Sequence, residues 1–326
     1  MKFDADVRAA MLQRLQQERF DMVIVGGGIT GAGILVEAAL RGLKVALIEK
    51  GDFAHGTSSR SSKLVHGGLR YLEQYAFGLV FESTQERSRL MRLGSHLIRP
   101  LPFLMPVFGN SPHSLWFINA GLWLYDVLGT FRNYRMHRRL GRANLLEREP
   151  TLRPEGLKGG LLYYDAVTDD ARLTLENILS GYRAGGVPLS RMQAVGLTLK
   201  DGRVSAIEVQ DQLSEQRFAV QTGCVVVAAG PWTETVMQRL GCPTQGPYLR
   251  PTKGIHVVLP HSVLPLSHAV VLSSPSDHRM MFAIPWKGAT IVGTTDTDWN
   301  GDPDAVFATR ADVQYVLEAV RHHFPA

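Results

Sequence analysis

Two short apolar runs, Met22–Val25 and Val45–Ile48, read as β-strands, and between them Ile34, Leu35, Ala38 and Ala39 recur on one helical face. That periodicity predicts a helix over residues 31–41 and so a strand–helix–strand unit. Residues 76–98 predict a long amphipathic helix with Phe81, Leu90, Leu93 and Leu97 inward and Glu82, Glu86, Arg87, Arg89 and Arg92 outward. The prolines at 100, 102 and 106 end it, because proline cannot continue a helix and extends the residue before it. Residues 114–128 predict a helix that is apolar almost all round, with Asn119 and Asp126 on one stripe. Residues 147–154 read as a linker. Residues 159–171 give a strand and then acidic residues at a helix start; that helix, 172–183, ends at Gly185 and Gly186. A meander follows over 194–199, 204–210 and 218–221, with Asp201-Gly202 as its turn. After a strand at 223–230 and a helix opened by Thr233, strands at 254–259, 269–272, 280–284 and 289–293 predict an antiparallel sheet, closed by a helix over 311–323.

The first apolar run stops at glycines. Gly26, Gly28 and Gly31 have the spacing G-x-G-x-x-G, and each position has a physical reason. The first makes the tight strand-to-helix turn, the second lets backbone approach a pyrophosphate, and the third lets helix and strand pack closely. The N–H groups at the helix start, including those of Ile29 and Thr30, then face an anion. Glu49 ends the second strand about twenty residues on, where an acidic group holds a ribose hydroxyl. This combination predicts an adenine dinucleotide without a 2′-phosphate.

Composition narrows the classes further. At 326 residues the chain can build two domains, and 45% hydrophobic with 20% charged residues is ordinary for a globular protein. The net charge of +5 suits anionic small molecules or an anionic surface, and no nucleic-acid-binding signature is present. Two cysteines, Cys224 and Cys242, support neither a metal site nor a disulfide framework, and Cys224 is expected to be a buried small hydrophobe. There is no secretory h-region and no apolar run long enough to span a bilayer, so the expected compartment is cytoplasmic.

Residues 51–75 are dense in hydroxyls, glycine and basic side chains. Lys63, His66 and Arg70 would share a helical face, but Gly67 and Gly68 disfavour a helix by about 2 kcal/mol together. A loop of donors packed on a phosphate or a ring system accounts better for the composition. The stretch 57–72, TSSRSSKLVHGGLRYL, following the Gly26–Gly31 turn, resembles the signature of FAD-dependent, quinone-linked glycerol-3-phosphate dehydrogenases. Lys253 to His256 and Gly293 to Asp296 also look like motifs of that family, and the resemblance covers roughly residues 20–325.

The resemblance implies an α/β fold: a Rossmann-like FAD-binding domain of the D-amino-acid-oxidase/glutathione-reductase type with an antiparallel-sheet substrate domain. The expected division is 18–110 with 148–235 for the cofactor domain, 111–147 for a helical, basic insertion, and 236–326 for the substrate sheet and helix. It implies oxidation of sn-glycerol 3-phosphate to dihydroxyacetone phosphate, with electrons passed to a quinone. The alternatives are an oxidase using oxygen and a related amine or amino-acid oxidase; a non-catalytic flavin-binding subunit is a further one. The expected cofactor contacts are Gly26, Gly28, Ile29, Thr30, Gly31, Glu49, Lys50, Thr57, Ser58, Ser59, Ser61, Ser62, Lys63, Gly67, Gly68, Leu69, Ala194, Val195, Ala229, Gly230 and Trp232, with no metal. Arg70 is the expected phosphate partner, since guanidinium binds phosphate oxygens bidentately, and Tyr71 adds a hydroxyl. His66 and His256 are the rival bases, because imidazole titrates near neutrality.

The run 114–128 followed by Arg132, Arg135, His137, Arg138, Arg139 and Arg142 leaves two readings open. One is an amphipathic contact with the anionic cytoplasmic face of the inner membrane; the other is a buried helix with a solvated basic turn. The family's chains are longer, so part of the cofactor domain and of the phosphate pocket is expected beyond residue 326.

Overall fold

The computed structural model describes residues 4–130, 133–242, 246 and 248–325, with every side chain among them except those of Arg70 and Glu73. The chain forms two compact units, Met1–Ser61 with Asp169–Pro251, and Ser62–Thr168 with Thr252–Ala326.

The first unit is built on a parallel sheet in the order Val225–Val227, Met22–Val25, Val45–Ile48, Val187–Leu189. Its strands read as unbroken apolar runs because both faces are covered. Val23, Val25, Ala46 and Ile48 enter one core cluster with Leu15, Phe20 and Ile207. Their neighbours Ile24, Val45 and Leu47 enter another with Leu35 and Ile178. The helix Ile29–Leu40 joins the first two strands in sequence, and Asp170–Arg183 packs on it so closely that a Cβ on Gly181 would sit 2.6 Å from Leu35. The meander Met192–Lys200, Arg203–Asp211 and Arg217–Thr222 forms a second sheet, edged in parallel by Arg19–Phe20.

The second unit holds an eight-stranded sheet in the order His256–Pro260, Ala289–Gly293, Met280–Trp286, Ala269–Ser273, Ile98–Phe108, Leu157–Thr168, Leu64–Val65, with Arg138–Gly141 also on Leu157–Thr168. All its pairings are antiparallel except Ala269–Ser273 with Ile98–Phe108. Phe103, Leu161 and Tyr163 face the helices Phe77–Leu93 and Leu115–Leu128, while Leu104, Leu162 and Val270 face Arg310–His323. Residues 62–110 and 148–168, grouped above with the glycine turn, pack here because Ile98–Phe108 and Leu157–Thr168 pair along nearly their whole lengths.

Several expectations are corrected. The long helix ends at Leu93 on a Gly94 cap, before the prolines, and the extended segment that carries them pairs as the strand Ile98–Phe108. Those prolines lie at even positions, so the donors they lack all fall on one edge of the strand. The helix also presents a different face: Val80, Thr84, Arg87 and Ser88 are buried, whereas Phe81 and Leu93 are 47% and 82% exposed. Within 147–154, Glu149 is buried and accepts from Thr151 and from Ser267 N–H, so this is an anchored segment. His137 does not join a basic surface; it is buried against Asp126 at 2.6 Å. Cys224 is exposed. Among the described residues no helix is long and apolar enough to cross a membrane, and no cluster of side chains could hold a metal ion.

Candidate functional site

Each unit has its own cavity. In the first unit, Gly26 has φ +117°, and a Cβ there would stand 2.5 Å from Ala228 O. A Cβ on Gly31 would overlap Gly26 O. Only glycine lets this strand turn into this helix. The helix start has Gly28 as its N-cap and no capping side chain of its own. Its N–H groups are met from elsewhere: Gly27 N donates to Glu49 Oε2 at 2.7 Å, and Ile29 N donates to Ser58 Oγ at 2.9 Å. Gly51 N donates to the other Glu49 oxygen at 2.7 Å. The carboxylate is thereby fixed in orientation at the end of its strand, with lone pairs left for hydroxyl donors.

The cavity beside this turn measures about 320 Å³. Gly26, Gly28, Ile29, Thr30, Glu49, Lys50, Thr57, Ser58, Ala194, Ala229, Gly230 and Trp232 line it. His55, Gly56, Met192, Gln193 and Arg239, which sequence reasoning missed, also line it. Gly31 serves packing, Val195 does not line the wall, and the Ser59 hydroxyl donates to Gly56 O at 3.4 Å. The Ser61 hydroxyl donates to Asp170 at 2.7 Å, tying the loop to a helix start rather than facing the cavity. An FAD dinucleotide end fits these residues on two counts. The cradle is backbone that no Cβ could occupy, and Trp232 Nε1 is a buried donor with no partner among the described residues. Lys50 lies 4.6 Å over the Trp232 ring, placing a cation at the same wall.

The second unit contains a cavity of about 510 Å³ lined by Ser62, His66, Gly68, Leu69, Tyr71, Gln74, Asp165, Arg279, Thr294 and Asp296, with Phe103, Met105 and Tyr163 as apolar wall. Ser62, Lys63, Gly67, Gly68 and Leu69, expected among the cofactor contacts, therefore fold into this unit. Ser62 Oγ is 2.8 Å from His256 Nε2, so a hydroxyl on the cavity wall is backed by an imidazole. Lys63 lies 5.6 Å over the Trp286 ring. His66 is exposed, and its Nδ1 accepts from Gly68 N–H at 3.1 Å. Arg70 opens the short helix Arg70–Glu73, and its side chain lies outside the described residues. Arg279, paired with Asp296, and Asp165 were missed; a carboxylate at Asp165, within the otherwise apolar and aromatic run 161–167, is the signal that could have found one of them.

The segment carrying His256 is pinned from behind. Lys253 Nζ donates to Asp312 Oδ2 at 2.6 Å, and both are buried. The Lys253 bond, together with Thr309 donors, holds the Asp312 carboxyl down at about 2. Ile255 N donates to Thr295 Oγ1 at 3.0 Å, and a Cβ on Gly293 would come within 2.7 Å of the His256 ring. The imidazole thus sits on a surface that only glycine leaves open.

The family profile for FAD-dependent oxidoreductases matches residues 21–326. An alpha-glycerophosphate oxidase of Streptococcus pyogenes is 39% identical over 332 aligned residues, covering 100% of this chain and 54% of that one. An aerobic glycerol-3-phosphate dehydrogenase of Staphylococcus haemolyticus is 40% identical over 319, covering 98% and 57%. The crystal structure of the glycerol-3-phosphate dehydrogenase from Bacillus halodurans complexed with FAD superposes with a TM-score of 0.82 at 34% identity, over 99% of this chain and 57% of that one. The chain thus spans little more than half the length of these relatives. By the profile match across nearly its whole length, it belongs to the FAD-dependent oxidoreductase family.

Proposed function

We propose that the protein oxidises sn-glycerol 3-phosphate to dihydroxyacetone phosphate and passes the electrons to a quinone. The observation that carries this is the polar set of the second cavity, Ser62 with His256 behind it, His66 and Tyr71, contributed largely by the 57–72 stretch that resembles the family signature. Relatives bearing glycerol-phosphate names align over this entire stretch and support the substrate class.

When bound, FAD supplies the two-electron acceptor for C2 of the polyol. The glycine turn, Glu49, Lys50, Thr57, Ser58, Ala229, Gly230 and Trp232 would hold its dinucleotide end. Removing a hydride from C2 requires loss of the hydroxyl proton. Ser62 Oγ can take that proton while its own moves to His256 Nε2 along the 2.8 Å contact, which makes His256 the base. His66 has the opposite polarity: with Nδ1 accepting Gly68 N–H, the neutral ring carries its proton on Nε2 and offers a donor. Arg70 supplies positive charge for the phosphate by resemblance to the family; Arg279 stands on the cavity wall with its guanidinium paired to Asp296.

Anaerobic addition of glycerol 3-phosphate to the complete, FAD-loaded gene product should bleach the oxidised flavin band; an unbleached flavin overturns the assignment, and bleaching by an amine in its place points to the amine-oxidase alternative. The Streptococcus relative named as an oxidase favours a second acceptor, oxygen, and peroxide formed in step with substrate would establish it. We also propose contact with an anionic membrane surface. Trp116, Phe117, Trp123 and Val127 are 74%, 56%, 51% and 51% exposed along one stripe of the Leu115–Leu128 helix, and Arg135, Arg138, Arg139 and Arg142 are exposed beyond it. Sedimentation with anionic vesicles should fall when these arginines are neutralised.

A further inference from the structure

We propose that Asp165, held by Arg87 and Tyr125, is a positioning residue that acts through the Gly67–Gly68 turn to present His66 to the cavity as an Nε2–H donor. The proposal rests on the assignment of the second cavity to the substrate.

A carboxylate at Asp165 is 4% exposed and a guanidinium at Arg87 is 1% exposed, the largest fully buried side chain described. Removing such a pair from water gains little stability over apolar side chains of the same volume. What the pair does gain here is geometry. Arg87 donates to Asp165, to Tyr125 Oη at 2.7 Å, to Tyr164 O at 3.3 Å and to Asn133 Oδ1. The Tyr125 hydroxyl donates to Asp165 Oδ1 at 2.9 Å. Asn133 carries the chain of bonds on to Asp126 at 2.6 Å, which in turn holds His137. Burial alone would lower the Arg87 pKa, but Asp165 and Tyr125 raise it, so the guanidinium stays charged. Burial and Asp165 push the Tyr125 hydroxyl well above its ordinary value, so it stays a donor.

One further donor reaches Asp165 Oδ1: Gly67 N–H at 3.0 Å. Gly67 is packed against the network without room for a side chain, since a Cβ would overlap Tyr125 Oη and stand 2.5 Å from Thr84 Cγ2. The next amide, Gly68 N–H, is the one that donates to His66 Nδ1, with Gly68 at φ +74° beneath the Tyr71 ring. Two consecutive glycine amides thus point in tandem, one into the buried network and one at the histidine. The first peptide is pinned by Asp165, and the packing of Gly67 on Tyr125 and Thr84 limits how far its backbone can turn, so the second amide, and with it the side of the imidazole that keeps the proton, is held by the first. Asp165 itself lines the cavity, so the anchor and the group it orients belong to one wall.

The test uses the complete gene product loaded with FAD. Under anaerobic, saturating glycerol 3-phosphate, Asp165→Asn should slow flavin bleaching by about 100-fold and Tyr125→Phe by about 10-fold, the scale of a misoriented group. In the background of His66→Ala, Asp165→Asn should add less than about twofold, because a residue acting through His66 has nothing left to orient. Multiplying losses would overturn the proposal. Independently of activity, ¹⁵N-histidine spectra should show His66 with an unprotonated Nδ1 and a protonated Nε2, and Tyr125→Phe should mix in the other tautomer. A wild-type Nδ1–H form, or a pattern indifferent to Tyr125, would equally overturn it. If Asp165→Asn fails to fold, Tyr125→Phe carries both measurements. If glycerol 3-phosphate never bleaches the wild type, the substrate assignment fails while the tautomer measurement still decides the positioning role.

Discussion

The two cavities solve the same problem, holding polar groups at an apolar wall, by opposite means. In the first unit the polar groups are backbone amides of a glycine turn, and the side chains that satisfy them, Glu49 and Ser58, come from the next strand and loop. In the second unit they are side chains, backed by buried ionised pairs far apart in sequence, such as Arg87 with Asp165 and Lys253 with Asp312. A cradle of amides tolerates no Cβ but carries no net charge to neutralise. A cradle of side chains tolerates substitution in shape but not the loss of one partner, because an unpaired buried charge is left behind. The first is therefore broken by bulk, the second by charge.

The largest effect tests bulk. Gly31→Val places branched carbons inside Gly26 O, and it should cost more than about 4 kcal/mol and abolish FAD retention. Retained flavin with a small melting shift would mean that the turn can relax, and the contrast would lose its first half. The charge test is next. Arg87→Met should destabilise by about 3–5 kcal/mol in urea unfolding, whereas Arg87→Met with Asp165→Leu should recover most of that loss. Equal losses in single and double variants would place the cost in packing instead.

The same contrast explains what could be read from the chain. The glycine turn, the helix after it and Glu49 were legible because backbone geometry confines each requirement to a few neighbouring positions. The face of the Phe77–Leu93 helix was not. Periodicity weighs Phe81 as inward and Arg87 as outward, and only a carboxylate 78 residues away reverses the preference. The strand Ile98–Phe108 was hidden because proline signals a break, and which edge of a strand lacks donors is decided by its partners. Ser62 and Lys63 were assigned by their neighbours Thr57 and Ser58, yet the boundary between the units falls after Ser61. Position just before the strand Leu64–Val65, not residue type, placed both in the second unit, where Ser62 lines the cavity.

A third measurement probes burial without a charged partner. His323 is 3% exposed beside Phe108, its pKa is held down at about 4 mainly by burial, and the nearby Arg153 and His322 add to the effect. Unfolded, it would titrate near 6.5, so between these values the unfolded chain binds a proton that the folded chain refuses. Stability is therefore level above about pH 6.5 with respect to this group and falls as pH drops toward about 4, by on the order of 3 kcal/mol. Urea unfolding at steps across this window should show the slope, and His323→Phe should flatten it. An unchanged slope would assign the acid sensitivity elsewhere.

The smallest effect compares two helix starts. Arg310–His323 is closed by a full capping box, in which Thr309 and Asp312 satisfy one another's amides and Lys253 neutralises the carboxylate. Ile29–Leu40 has no cap of its own, and Ile29 N–H meets a serine hydroxyl at an exposed position beside the cavity. A closed start depends on its side chain, while an open one can exchange that hydroxyl for water or phosphate. Thr309→Ala should then cost about 1 kcal/mol, whereas Ser58→Ala should change the stability of the flavin-free protein by less than about 0.5 kcal/mol. Equal costs would mean that Ser58 is a structural cap and that the glycine turn is as closed as the box; unequal costs in this order would mean that its amides are kept available for a phosphate.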